Sequence, residues 1–179
     1  MPPARNNTPL LARAVGAILQ RDLGTLRREI EAYPKEEDLW REVPGISNVG
    51  GTLALHLTGN IQHYLGHHLG KSDYRRNRPA EFGRRQVPRS ELLREVDAAR
   101  AAVAGALANL SESVVNQEFP EIITGARVVT GEYLVHLTTH FAYHLGQLDY
   151  HRRVVTGQAT TVDAMRPADL SSARPVPMQ

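Results

Sequence analysis

Apolar residues recur along this chain at helical spacing in four separate blocks, and no block makes a convincing strand. In the first, Leu10, Leu11, Val15, Ile18, Leu19, Leu23, Leu26 and Ile30 line one side of a helix from Thr8 to about Tyr33. Thr8 is its expected N-cap, Pro9 its first helical residue, and Pro34 ends it. The segment KEEDLWREVPGIS then reads as a connection whose Trp40 plugs one end of a bundle. A second helix opens near Ser47 or Asn48 and runs to about Leu69. A third, capped by Ser90, runs to about Leu110 with Leu92, Leu93, Val96, Ala99, Val103, Ala106 and Leu107 inward. The fourth spans Gly131 to Val155. Between the second and third, Lys71 to Pro88 is rich in charge and turn formers and predicts a long loop; within residues 111–130, EIITGARVVT predicts a short extended turn. The pattern is that of an all-α protein, a four-helix bundle with long inter-helix loops in one domain over 1–157. A polar, proline-bearing tail over 158–179 is expected to be weakly ordered or to lie on the surface.

Histidines interrupt this pattern. On the fourth helix His136, His140, His144 and His151 fall within an arc of roughly 80°, beside the apolar residues Leu134, Leu137, Phe141, Leu145 and Leu148. On the second, His56, Asn60, His63 and His67 fall within about 60°. Imidazoles bordering a buried face need partners, and an i, i+4 pair presents two ring nitrogens to one metal ion. HLTGNIQHYLG from His56 and HLTTHFAYHLG from His136 also match at both ends, which suggests an internal repeat of two helical hairpins about a pseudo-two-fold axis.

Composition narrows the chemistry. There is no cysteine, so a metal must be held by nitrogen and oxygen, and a disulfide cannot form. The net charge of +2 comes from arginines scattered along the chain, which argues against a nucleic-acid surface despite the cluster Arg75, Arg76, Arg78, Arg84 and Arg85. No apolar run is long enough for a membrane span or a signal peptide, and a cytoplasmic protein without membrane partners is expected.

The histidine within LALHLTGN, the loop RNRPAEF and the late HFAYHLGQ together resemble the DinB/YfiT-like superfamily of metal-dependent enzymes, over roughly Leu10 to Val155. The most specific part is His140-x-x-x-His144-x-Gly146-Gln147. The resemblance implies a four-helix bundle that often dimerises, and a divalent ion, zinc or nickel, held by His56, His140 and His144. His63, His67 or His136 could replace His56, because they lie near the same stripes. It further implies a small-molecule substrate and either hydrolysis or transfer dependent on an external low-molecular-weight thiol. The alternative is a non-catalytic protein, metal-stabilised or stress-related. Gln147 and Asn60 are candidate outer partners of the ligands, Arg76 and Arg78 candidate anion holders, and Asp149 and Glu132 read as surface carboxylates. No catalytic base is identified.

Overall fold

The computed structural model describes residues 8–176; the outer ends of the expected domain and tail, 1–7 and 177–179, lie outside the described residues. The α-helices in chain order are α1 (Leu10–Glu31), α2 (Gly50–Ile61), α3 (Arg78–Gly83), α4 (Arg89–Leu107), α5 (Glu112–Val115) and α6 (Thr130–Thr156). α2 passes directly into a π-helix, Gln62–Leu69, and short 3-10 turns span Glu36–Trp40 and Pro167–Asp169. The long helices form the bundle: α1 packs on α4 and α6, and α2 packs between the same two. No strand forms among the described residues. The 118–129 segment is an extended turn with two isolated bridges, Glu118 to Val129 and Ile123 to Ala126. No helix of the described residues is long and apolar enough to cross a membrane.

The apolar periodicity of α1 and α4 goes inward as the sequence implies. Leu19, Leu23, Leu26 and Ile30 of α1 are completely buried, and Leu92, Val96, Ala99, Val103, Ala106 and Leu107 of α4 face them; Leu10, at the first turn, is exposed. The caps differ from expectation. Pro9 and Pro88, not Thr8 and Ser90, occupy the cap positions of α1 and α4, and neither helix has a side-chain cap. Proline is tolerated there because the first-turn N–H groups have no helical partner in any case. The Thr8 hydroxyl instead donates to the Ala108 carbonyl at 2.7 Å and ties the start of α1 to the end of α4. α2 begins at Gly50, two residues or more past the expected opening, and α3 lies where a loop was expected throughout.

α2 differs from its neighbours in that all twelve of its residues are buried. Trp40 closes over its first turn: a Cβ built on Gly51 would stand 2.5 Å from the Trp40 ring, so glycine is what lets the indole lie flat there. Beside it, His151 of α6 is fully buried and satisfied at both nitrogens. Its Nε2–H donates to the Arg41 carbonyl at 2.9 Å, which leaves Nδ1 to accept from the Tyr33 hydroxyl at 2.8 Å. Arg152, also fully buried, donates to Glu29 of α1 at 2.5 Å, to Asp149 at 3.0 Å and to the Thr160 carbonyl at 2.8 Å. Gly157 ends α6 in the left-handed conformation, and the following segment lies on the surface, where Arg28 binds the Val162 and Asp163 carbonyls.

Burial lowers the proton affinity of His151 below the ordinary value of 6.5, with the Arg41 carbonyl partly opposing the shift. The unfolded chain therefore binds this proton more readily, and the stability His151 contributes at neutral pH is lost as pH falls through and below about 6.5. His151→Phe removes the partner of the Arg41 carbonyl and leaves the Tyr33 hydroxyl only the Leu148 carbonyl at 3.5 Å, and should cost about 1–3 kcal/mol at pH 7.5. Urea unfolding of both proteins should show this gap narrowing toward pH 5; a gap that widens in acid would contradict the assigned neutral ring.

Candidate metal centre

Because α2 is buried on all sides, His56 cannot be hydrated and must be satisfied by protein groups. Its Nδ1 lies 3.1 Å from Glu81 Oε2. Glu81 is brought there by α3, a short helix that forms because the Asn77 side chain accepts the Ala80 N–H and Pro79 sits in the first turn. Arg76 grips the same carboxylate with two bonds, Nε to Oε1 at 2.7 Å and Nη2 to Oε2 at 2.9 Å. Burial alone would raise the Glu81 carboxyl, but the hydrogen bonds from Arg76 and His56 outweigh it and hold the group below its ordinary value. Gly59 makes room for this arrangement, since a Cβ there would lie 2.5 Å from Glu81 Oε1.

His140 and His144 project from successive turns of α6 toward His56. The Nε2 atoms of His56 and His140 are 3.3 Å apart, and one ring nitrogen from each of His56, His140 and His144 lies within 4.8 Å of the others. The His144 ring stands 5.1 Å from that of His56 and 4.6 Å from that of His140, both edge-on. His144 Nδ1 is 2.7 Å from Gln147 Oε1. Both the Glu81 carboxylate and the Gln147 amide oxygen are acceptors, so His56 and His144 carry their protons on Nδ1 and leave Nε2 as a bare lone pair. Burial, followed by the neighbouring His144, His56 and His136, pushes His140 down to about 4, and burial likewise lowers His144 against the pull of Gln147. The shifts favour the neutral form of His140 and His144, the form that ligates metals.

The donor set fits a late first-row divalent ion. Two nitrogens at zinc–nitrogen distances of about 2.0–2.1 Å in a tetrahedral site stand about 3.3–3.4 Å apart, the separation of the His56 and His140 Nε2 atoms. A carboxylate behind one ligand and an amide oxygen behind another are the outer partners that orient metal-bound imidazoles. A cavity of about 390 Å³ opens beside His144, between the 45–48 turn and Tyr143, Gln147 and Tyr150.

The other sequence candidates go elsewhere. His136 is exposed and stacks on Tyr133, His67 contacts Ser72 and Arg75, His63 faces Glu121, and His151 is the buried structural ring described above. The 80-residue offset of the repeat pairs His56 with His136, Asn60 with His140 and Tyr64 with His144, so the triad is not assembled from equivalent positions. Arg76 is committed to Glu81, Arg78 lies over the Phe82 ring, and Asp149 pairs with Arg152 and Arg153. Glu81, Gly59 and Phe82, whose ring packs 5.0 Å from that of His56, have no counterpart among the sequence candidates. The signal for Glu81 was the helix start Asn77-x-Pro79.

A family model, that of the DinB superfamily, matches residues 18–148. No curated protein matches the chain. The matched span contains the triad and its partners Arg76, Glu81 and Gln147.

The two glycines of the site differ in a measurable way. Gly59→Ala should destabilise the protein by about 1–3 kcal/mol, because a methyl group must displace a carboxylate held by both Arg76 and His56. Gly146→Ala meets nothing within 4 Å and should stabilise α6 by up to about 1 kcal/mol. Denaturant unfolding of the two variants checks both signs; a neutral Gly59→Ala would mean that Glu81 is not held against α2.

Proposed function

The chain belongs to the DinB superfamily, and on that premise we propose that it is a metal-dependent enzyme acting on a small molecule, with His56, His140 and His144 holding one divalent ion, zinc or nickel. One observation carries this reading: three imidazoles converge from α2 and α6, two of them oriented by Glu81 and Gln147. Three protein ligands leave positions open for substrate, whereas a structural site takes four. An ion held there supplies Lewis acidity, toward either a water for hydrolysis or a small thiol for group transfer. With no cysteine in the chain, the thiol would have to come from outside.

The protein's own groups set the rest. Glu81, itself neutralised by Arg76, accepts the His56 Nδ1 proton, which fixes that ring and strengthens its Nε2 as a donor. Gln147 does the same for His144 while also lining the cavity. That cavity has the size of a small-molecule site, and its lining carries hydroxyl and amide groups from Ser47, Asn48, Gln147, Tyr143 and Tyr150 with no carboxylate. Such a lining favours a neutral or anionic polar molecule over a cation.

Elemental analysis after purification without chelators should find zinc or nickel, with the content falling by one equivalent in His140→Ala, His144→Ala and His56→Ala but not in His151→Ala. A protein that takes up no ion after reloading with either metal would overturn the reading. The ion should also prove dispensable for folding, because the apolar core runs continuously through α1, α2, α4 and α6. The apo protein should melt cooperatively by circular dichroism and gain stability on reloading as any native-state ligand requires. Cobalt placed in the site should change its visible spectrum on adding a thiol or small anion. An apo chain unfolded at room temperature, or a cobalt spectrum indifferent to every ligand, would favour the non-catalytic, metal-stabilised alternative.

A further inference from the structure

A second cluster of ligand-type side chains stands apart from the triad. His63 and His68 belong to the π-helix, and Glu121 to the connection between α5 and α6. Glu121 Oε2 lies 2.8 Å from His63 Nε2 and 2.7 Å from His68 Nε2, and one ligand atom from each residue lies within 4.8 Å of the others. The backbone explains the convergence. In an α-helix, residues five apart are turned about 140° from one another, and these two rings could not reach one oxygen. The wider, i→i+5-bonded turn of a π-helix narrows that angle and brings such residues to one side of the helix. π geometry usually lasts a single turn and concentrates at functional sites, whereas here it runs for eight residues.

From this geometry we propose that His63, His68 and Glu121 form a second binding site, for one divalent first-row transition cation. Two imidazoles and one carboxylate with open positions are a donor set that suits zinc or iron(II). The side chains of His63 and His68 are 18% and 17% exposed and that of Glu121 37%, which leaves an approach from solvent on the carboxylate side. Without a cation, the carboxylate accepts an Nε2–H from each ring. Binding exchanges those two bonds for coordination: each ring moves its proton from Nε2 to Nδ1, and Glu121, on a connecting segment, shifts outward by a few tenths of an ångström to reach ligand spacing.

This site is separate from the triad and does not depend on it. Between the two stands a row of rings, with Tyr64 edge-on to Tyr133 at 5.1 Å, Tyr133 stacked on His136 at 5.6 Å, and His136 6.0 Å from His140. Ions sharing a binuclear centre lie about 3.5–4 Å apart, closer than this aromatic layer allows.

The test uses the full chain with the triad disabled by His140→Ala and His144→Ala together, stripped of metal and titrated with zinc and cobalt by calorimetry and visible absorption. One equivalent should still bind. Adding His68→Ala should remove it, and adding Glu121→Gln, which keeps a hydrogen-bonding oxygen, should weaken it by at least about 10-fold. In the otherwise unchanged chain, His68→Ala alone should lower the stoichiometry by one whether or not the triad binds metal, so failure at one site is distinguishable from failure at the other. Far-UV circular dichroism of each variant confirms that it is folded. A folded triad-disabled protein that binds neither ion, or a stoichiometry indifferent to both His68→Ala and Glu121→Gln, overturns the second site.

Discussion

The complete burial of α2 is the constraint to which the rest of the molecule answers. A helix enclosed on every side offers little route to water for its polar side chains, so a partner within the protein matters for each, and the Thr52 hydroxyl is left without one. Thr58 bonds back to the Ala54 carbonyl of its own helix. His56 is turned toward α3 and α6, where a carboxylate meets one nitrogen and other imidazoles meet the second. Glycines are the means of enclosure: Gly50 accommodates Tyr33, Gly51 accommodates Trp40, and Gly59 accommodates Glu81. Each absent side chain admits a large or charged group to the surface of the helix, and the site is a consequence of one of these approaches.

Electrostatics inside the bundle follow a matching logic. Among the buried arginine pairs, Arg76 with Glu81 joins the segment before α3 to α3 itself and Arg152 with Glu29 joins α6 to α1, and both arginines also approach non-carboxylate groups. Ion pairs of this kind add little net stability over an apolar replacement but are costly to break singly. Their value here is positional: the first holds the carboxylate that orients His56, and the second fixes α6 against α1, so that His140 and His144 arrive at a defined depth.

How much of this was legible in the sequence depended on how regular the backbone is. α1, α4 and α6 follow uninterrupted 3.6-residue periodicity, and the bundle was readable from them. So was the i, i+4 pair His140 and His144, while the choice of His56 over its neighbours came from a resemblance and the geometry brings that residue beside the pair. α3 was obscured because Lys71 to Pro88 has the composition of a loop, and the cap signal at Asn77 is only a few residues from a helix of six. His68 was invisible for a different reason. Extending α-helical periodicity past Ile61 aligns His56, His63 and His67, whereas the wider π turns also bring His68 to the side of His63, where both meet Glu121, while His67 stays stacked on His63 at 6.1 Å. The caps failed where proline, which has no donor of its own to satisfy, took the position of the hydroxyl residues beside it.

The π segment also bears on how this chain should be compared with its relatives. Each π turn contains more residues than the α turn it replaces, so a helix can gain a residue here while both of its ends stay in place. An ancestral insertion or deletion would then be absorbed inside the second helix, not in the loops that flank it. Against a relative whose second helix stays α-helical throughout, an alignment that confines gaps to loops would shift every position on one side of Ile61 by a residue. Relatives are better superposed in two pieces, Gly50–Ile61 as one and Gln62–Leu69 as the other, before the fate of each histidine through descent is read.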